Sequence, residues 1–309
     1  YKFDTHMHTT TSDGNLHWKE LLAYAKEQGL EGVAITDHNT MGPVSEIATE
    51  AKRLGLRYVP ATEIKTTCKQ QIAEFGSSEG LLPTLEFLIY GMDTDNEEFQ
   101  TMSQKHIDGK KAYVTALCEQ VNKYKVSDID GLEGDEKIEV DVEKIIENNG
   151  DYLSSSHVIN EILEKYSHMA TSDEFGKKQV KNLVVAVQKD VLAVLKDDPF
   201  YSLDTIEGLK KAKKWGKRVV LAHPFTESRA DMFEFYDKHL IPMLVENGLD
   251  GIECNYPEHT PEQIEIIKGW ADKYGLILTG GSDFHRQEDE FYALGSQGCS
   301  EDVFWELGG

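Results

Sequence analysis

The composition of this chain sets the first limits on its fold and function. It has 309 residues, 39% of them hydrophobic, which is enough for the core of a barrel of alternating strands and helices. The formal net charge of -23 argues against an electrostatic grip on a nucleic-acid backbone. It still permits a small anionic substrate, because bound divalent cations reverse the local charge.

The cysteines and the hydropathy pattern indicate a reduced protein outside the membrane. No Cys-x-x-Cys pair occurs, which favours neither a zinc ribbon nor a disulfide framework. No run of residues is long and apolar enough to span a bilayer. We therefore expect reduced thiols, a cytoplasmic location and no membrane partner, and the sequence carries no signal for an oligomeric state. The four cysteines are Cys68, Cys118, Cys254 and Cys299.

The first third of the chain alternates between predicted strands and helices. Short apolar runs over 2–5, 33–36 and 57–61 predict strands. Apolar residues at helical spacing predict two helices that end at Gly29 and Gly55, because glycine commonly terminates a helix. Polar side chains follow each strand. The carboxyl ends of parallel strands are where the active sites of α/β barrels lie, so this pattern predicts a site there.

The middle of the chain breaks this alternation. A strand is predicted over 86–91, and residues 127–139 are acidic and punctuated by glycine, which predicts a surface loop. We interpret residues 92–200 as a mostly helical insertion or cap over the C-terminal face of the barrel, without a clear core of its own. Helical spacing predicts four helices, over 97–125, 141–148, 157–166 and 177–196.

Alternation of strands and helices returns in the last third. A helix over 203–215 precedes predicted strands, and Thr260 begins a capping box with proline at the first helical position. The whole chain, 1–309, is therefore predicted to be a single α/β barrel domain. The three predicted strands cover 218–222, 250–253 and 276–279.

Histidines and carboxylates recur where the predicted strands end. His6 and His8 lie one residue apart on an extended segment, so their side chains point to the same face. Neutral imidazole is a common ligand of Zn, Mn and Fe. One such pair is weak evidence for a metal site, but histidines and carboxylates recur at the ends of successive predicted strands. This recurrence predicts a metal site. Glu253 also ends a predicted strand, and here a structural carboxylate bonded to the backbone is as consistent with the sequence as a functional one. The other candidate ligands are Asp13, His38, Glu63, His223, Asp283 and His285.

The motifs that carry these residues resemble those of the PHP (polymerase and histidinol phosphatase) family. The resemblance spans nearly the whole chain. Within the family, the chain most resembles the stand-alone nucleoside 3',5'-bisphosphate phosphatases and related oligonucleotide hydrolases. The motifs are Asp-Thr-His-Met-His at 4–8 with Ser-Asp-Gly at 12–14, Ile-Thr-Asp-His at 35–38, Ala-His-Pro at 222–224 and Gly-Ser-Asp-Phe-His at 281–285.

The resemblance implies a distorted (β/α)7 TIM-like barrel that holds two or three divalent ions of Mn, Fe or Zn. His157, in Ser-His-Val before a predicted helix, enters the ligand set through this analogy. The resemblance implies three ligand groups: His6, His8, Glu63 and Asp283 for one ion, Glu63 as a bridge with His157 and His223 for a second, and Asp13, His38 and His285 for a third.

The implied reaction is metal-dependent hydrolysis of a small phosphomonoester by a metal-activated hydroxide, with a nucleotide or nucleoside bisphosphate as a candidate substrate. The expected partner is a small phosphorylated substrate, without stable nucleic-acid binding. His38 or His285 could protonate the leaving alkoxide if its metal site were empty, but not as a metal ligand. Arg229 is predicted to bind the substrate phosphate, with Arg286 as the competing candidate.

Other functions remain open at the level of the sequence. A cyclic phosphodiester hydrolase or a histidinol-phosphatase-like enzyme is the nearest alternative, and a non-catalytic metal-binding PHP module is another. A metal amidohydrolase on a similar barrel is disfavoured by the early Asp13 and by the Gly-Ser-Asp-Phe-His motif. Nucleotide-acting relatives often place an arginine very close after His-Pro, whereas here the first arginine after His223 is Arg229.

Overall fold

Apolar strands from both ends of the chain pair into one eight-stranded sheet. The computed structural model describes residues 1–67, 84–150, 153–171, 175–195, 203–226 and 233–309. Along the sheet the strand order is β1-β2-β3-β4-β6-β7-β8, and β5 pairs with β3 beside this path. The strands are β1 Phe3–Asp4, β2 Gly32–Ile35, β3 Arg57–Thr67, β4 Thr84–Tyr90, β5 Leu203–Asp204, β6 Arg218–Leu221, β7 Gly251–Asn255 and β8 Ile277–Gly280.

The direction of β4 distinguishes this sheet from a regular parallel barrel. β4 runs antiparallel to both of its neighbours, β3 and β6. The pairs β1–β2, β2–β3, β6–β7 and β7–β8 are parallel. The carboxyl ends of the parallel strands therefore share one edge of the sheet with the amino end of β4.

The sheet nearly closes where its first and last strands meet. Met7 and Phe284 form a parallel bridge just beyond β1 and β8. The His8 amide donates to the Phe284 carbonyl at 2.8 Å, and the Asp283 amide donates to the His6 carbonyl at 2.9 Å. At Gly281 a side chain would collide with the Cβ atom of His6, so glycine permits this close approach. The arrangement confirms the predicted barrel.

The helices bury the apolar faces that the sequence predicts. In α1, Trp18, Leu21, Leu22 and Ala25 are buried, and α2 ends at Gly55 with a left-handed φ of 69°. A π-helical stretch joins α8 to α9. The helices are α1 Trp18–Glu27, α2 Val44–Leu54, α3 Glu97–Val121, α4 Val142–Asn149, α5 Ser155–Tyr166, α6 Lys177–Val194, α7 Thr205–Trp215, α8 Phe233–Phe235, α9 Ile241–Glu246, α10 Pro261–Tyr274 and α11 Glu301–Leu307.

The chain divides into two compact units, Tyr1–Gln100 with Ser202–Gly309, and Thr101–Tyr201. The start of α3 belongs to the first unit, because Phe99 packs edge-on against Trp215 at 5.5 Å. The boundary therefore lies after the predicted start of the insertion at residue 92.

The second unit has a hydrophobic core of its own, contrary to the expectation from sequence. Leu117 from α3, Val158 from α5 and Val187 from α6 are buried in it. The acidic segment 127–139 also contributes, through Ile129 and Ile138. Charged residues separate the apolar positions of this segment. The spacing of these positions matches neither a strand nor a helix, so their burial was not predicted from the sequence. Among the described helices of the chain, none has the length and apolar character needed to cross a bilayer.

Candidate metal centre

The barrel collects the predicted ligands at the edge where its parallel strands end. His6 and His8 follow β1, His38 follows β2, and His223 follows β6. Glu63 lies inside β3, because this strand continues to Thr67 instead of ending at residue 61 as predicted. Parallel pairing continues beyond β2, where His38 bridges to Glu63.

The first group of candidate ligands brings the two ends of the chain together. The Nε2 atoms of His6 and His8 lie 3.2 and 3.1 Å from Oδ1 of Asp283. Oε2 of Glu63 lies 3.3 Å from His6 Nε2 and 3.4 Å from His8 Nε2. The four residues that the family resemblance implies for one ion are therefore adjacent.

The two carboxylate oxygens of Glu63 face different histidines. Oε2 faces His6 and His8, whereas Oε1 lies 3.2 Å from Nε2 of His223. His6, Glu63 and His223 each offer one ligand atom, and these atoms lie within 4.8 Å of one another, close enough to share one ion. This is the geometry expected of a carboxylate that bridges two cations.

Glu86 is a candidate ligand that sequence reasoning missed. Its Oε2 lies 3.7 Å from Nε2 of His223, and it forms a possible ligand group with His38 and Glu63. Glu86 is near the amino end of β4, whereas the sequence predicts ligands at the carboxyl ends of strands. Because β4 is antiparallel, its amino end reaches the same edge. The sequence predicts a strand that starts at residue 86, but it does not give the direction of this strand. Without that direction, Glu86 could not be recognised as a candidate ligand.

A third group forms around Asp13, beside His8. Oδ1 of Asp13 lies 3.3 Å from Nε2 of His285, and Oδ2 lies 3.6 Å from Nε2 of His38. The His8 ring stacks between these histidines, with ring centroids 4.5 Å from His38 and 4.3 Å from His285. The three residues of the implied third site are therefore together, with His8 as an additional neighbour.

Two predicted functional residues are not members of the groups described above. His157 is in the second unit, in the first turn of α5, where its Nδ1 accepts a hydrogen bond from the Ser154 amide at 3.1 Å. Its role as a ligand stays a prediction. Arg229 lies outside the described residues, whereas its competitor Arg286 is exposed next to His285.

The backbone is strained at two of the candidate ligands. His223 has φ 22° and Asp283 has φ 54°, a left-handed conformation that costs residues other than glycine about 1–3 kcal/mol each. The amide of Asp283 donates to the His6 carbonyl at 2.9 Å, and the amide of His223 donates to Glu253 at 2.9 Å. These hydrogen bonds hold both residues in conformations that direct their side chains to the cluster.

The histidines and carboxylates of the cluster stabilise each other's charged forms. Burial lowers the pKa of His8, but Asp283, Glu63 and Asp13 outweigh this effect and raise it to about 10. Burial also lowers the pKa of His223, yet Glu63 and Glu86 raise it to about 9. Conversely, burial raises the pKa of Glu63, but the surrounding histidines hold it well below its usual value.

The donor set fits divalent transition-metal ions. Imidazole nitrogens and carboxylate oxygens are the ligands that Mn, Fe and Zn accept. Nε2 of His8 is buried at the centre of the cluster, 3.1 Å from Oδ1 of Asp283, but among the described residues no contact of this atom has the geometry of a regular hydrogen bond. A buried polar atom without a hydrogen bond is costly, and coordination to a cation would satisfy it.

Comparison with known proteins decides the family. The family model described as PHP domain matches residues 4–189, more than half of the chain. The chain belongs to the PHP family. This match confirms the resemblance drawn from the motifs. The PHP protein is a metal-dependent phosphoesterase.

Relatives of this PHP protein cover most of its length. A phosphoribosyl 1,2-cyclic phosphate 1,2-diphosphodiesterase of Eggerthella lenta is 26% identical over 91% of this chain and 93% of its own. A 5'-3' exoribonuclease Rnm of Escherichia coli is 24% identical over 92% and 85%. A 3',5'-nucleoside bisphosphate phosphatase of Chromobacterium violaceum is 23% identical over 91% and 86%.

The fold of this PHP protein recurs in solved structures. A crystal structure from Bifidobacterium adolescentis aligns with a TM-score of 0.68 over 99% of this chain and 94% of its own, at 21% identity. At this identity the likeness concerns the fold alone, and it confirms the barrel.

Metal affinity is expected to rise with pH. In the metal-free protein the pKa of His8 is about 10 and that of His223 about 9, so both rings are protonated at neutral pH. A ring must lose this proton to coordinate a metal, and each proton released should raise affinity about tenfold per pH unit between about pH 7 and about pH 9. Competition with a chelator measures the dissociation constant.

The exposed His168, changed to Gln, serves as the control for this pH dependence and should leave the slope unchanged. A dissociation constant independent of pH across that range, after correction for the chelator, would show that these histidines are not ligands.

Glu63→Gln should abolish metal binding at more than one position. The substitution keeps the shape of the side chain but removes the negative charge that faces His6, His8 and His223. We expect the variant to fold, to lose metal and to lose nearly all turnover. Circular dichroism, elemental analysis and activity measure the three effects.

Glu50→Gln, which removes one half-buried negative charge on α2 that is paired with Arg53, is the matched control and should retain metal and activity. Full activity of a folded Glu63→Gln protein would mean that another carboxylate holds the ions.

Proposed function

We propose that this PHP enzyme hydrolyses a small phosphomonoester at a centre of two or three divalent ions, and that a nucleotide or nucleoside bisphosphate is its substrate. The placement of Glu63 carries this proposal, because its two oxygens face different sets of histidines. The surrounding ligand groups offer more donor atoms than one ion of ordinary geometry accepts.

Nine residues are proposed to hold the ions. Bound divalent ions would supply a water of lowered pKa and neutralise the charge of the phosphate. His38 and His285 are the more exposed of the clustered histidines, with side chains 21% and 28% exposed, so we place the approach of the substrate on their side. Where an ion is absent from their site, either ring can donate a proton to the leaving alkoxide. The proposed ligands are His6, His8, Asp13, His38, Glu63, His157, His223, Asp283 and His285.

The charge of the chain supports a small substrate. A net charge of -23 repels an extended polyanion, and this repulsion grows with the number of phosphates. The Escherichia coli relative is named an exoribonuclease, an enzyme that acts on RNA. The negative charge of this chain argues against RNA as its own substrate. A single phosphate needs no basic surface beyond the metal centre and a nearby arginine.

A cyclic phosphodiester is the second candidate substrate. The Eggerthella lenta relative, which is named for a cyclic phosphate, matches along nearly its full length. A cyclic diester uses the same attack on phosphorus, but its leaving oxygen stays attached to the product. The cluster of ligands serves either reaction, and the choice lies with groups that surround the rest of the substrate.

A panel of substrates tests the proposal. The metal-loaded protein is assayed with nucleotides, nucleoside bisphosphates, other phosphomonoesters, cyclic phosphates and short oligonucleotides. We expect the largest kcat/KM for a nucleotide or nucleoside bisphosphate. The Glu63→Gln protein, purified in parallel, reveals any contaminating phosphatase. A larger kcat/KM for a cyclic phosphate would favour the second candidate, and no turnover of any ester would contradict both.

We propose that Arg229 binds the substrate phosphate. It follows β6 and His223 in the sequence, and in α/β barrels the loops that follow the parallel strands are where substrates bind. Arg229→Ala should lower kcat/KM at least tenfold, about 1.4 kcal/mol of transition-state binding, without changing metal content. Arg229→Lys should recover part of the loss, because a point charge cannot grip two oxygens.

Arg286→Ala is the comparison for this experiment, because Arg286 is next to His285. If Arg229→Ala has unchanged kinetics and Arg286→Ala is impaired, the role belongs to Arg286.

A further inference from the structure

Glu253 is a buried carboxylate that belongs to none of the proposed ligand groups. It lies in β7, between β6 and β8, and it is fully buried. A buried negative charge is costly unless it is hydrogen-bonded. Glu253 has such partners, and both of them are candidate ligands.

The first partner of Glu253 is the ring of His6. The two carboxylate oxygens lie 3.1 and 3.3 Å from Nδ1 of His6. An ionised carboxylate only accepts hydrogen bonds, so the hydrogen of the neutral ring is on Nδ1. This leaves the lone pair on Nε2, which faces Glu63 and Asp283 at 3.3 and 3.2 Å.

The second partner is the backbone of His223. The His223 amide donates to Oε2 of Glu253 at 2.9 Å. His223 has the strained φ of 22°, and its Nε2 lies 3.2 Å from Oε1 of Glu63. The hydrogen bond that the His223 amide donates to Glu253 therefore stabilises a backbone conformation that directs this ring toward the cluster.

We propose that Glu253 is a positioning residue that orients His6 and His223 for metal binding. It does so through the Nδ1 atom of His6 and the backbone amide of His223, and not through their Nε2 atoms. The inference rests on the metal centre proposed above. Carboxylates that accept from the second nitrogen of a metal-bound histidine fix its tautomer, and their loss typically weakens metal affinity about 10–100-fold. Here one carboxylate serves two ligands from two different strand ends.

The chemistry of this position requires a carboxylate. Two donors, the His6 ring and the His223 amide, converge on Glu253, and a carboxylate offers two acceptor oxygens. In Glu253→Gln an NH2 group replaces one oxygen, so when the remaining oxygen accepts from the His223 amide, the NH2 group faces Nδ1 of His6 in place of Oε1 and disfavours a hydrogen on that nitrogen. Glu253→Asp keeps both oxygens on a shorter side chain that cannot reach both partners.

Asp250 provides a matched control on the same pair of strands. It precedes β7, and its Oδ2 accepts from the Val219 amide of β6 at 2.8 Å and from Lys213 at 2.5 Å. Asp250 and Glu253 thus link β7 to the β6 segment at opposite ends. Asp250→Asn weakens a comparable link, because it removes the charge that pairs with Lys213, without touching a candidate ligand.

The test measures metal affinity and stability together. In Glu253→Gln and Glu253→Asp, we expect the dissociation constant for Mn²⁺ or Zn²⁺, from chelator competition, to rise about 10–100-fold. Excess metal should restore most of the activity. Asp250→Asn should lower the melting temperature and leave the dissociation constant unchanged. An unchanged dissociation constant in folded Glu253→Gln would overturn the proposal.

A measurement on the unchanged protein covers the case in which both Glu253 variants fail to fold. In the Zn²⁺-loaded protein, ¹⁵N NMR of the histidine rings should place the His6 hydrogen on Nδ1, in slow exchange with solvent. A hydrogen on Nε2 would overturn the proposal. Wild-type protein that binds no metal would instead contradict the metal centre itself, so the two failures are distinguishable.

Discussion

The closure of the barrel is the constraint on which the site depends. Backbone hydrogen bonds from His8 to Phe284 and from Asp283 to His6 join segments at opposite ends of the chain. This pairing places two histidines of the first strand end against an aspartate of the last, with ligand atoms 3.1 and 3.2 Å apart. Without it, Asp283 would not meet His6 and His8, and the first group of candidate ligands would lose its aspartate.

The cluster is an arrangement of buried charge that the fold must compensate. Glu63 and Asp283 have pKa values well below their usual range despite burial, because histidines surround them. Such compensation demands close geometry, since an unpaired buried charge costs several kcal/mol. The barrel supplies that geometry through the strained backbone at His223 and Asp283 and through Glu253 behind the ligands. Strain and buried charge are concentrated where the proposed chemistry occurs.

The antiparallel strand β4 gives this barrel its particular character. It brings Glu86 from a strand's amino end to the edge that otherwise collects carboxyl ends. The chain then leaves the barrel for the helical unit Thr101–Tyr201, which has its own core, and returns at β5. A departure in strand direction therefore changes both the composition of the site and the path of the chain.

The sequence alone determined the strand and helix alternation, the family and most of the clustered ligands. Apolar periodicity and short motifs are local signals, so His6, His8, His38 and Asp283 could be found without coordinates. The tertiary structure decided what depends on contacts between distant segments. These are the direction of β4, the place of Glu86, the core of the second unit and the contacts of Glu253. Glu253 showed the limit most clearly, because a carboxylate at a strand end has the same local pattern whether it binds metal, caps a backbone or orients a neighbouring ligand.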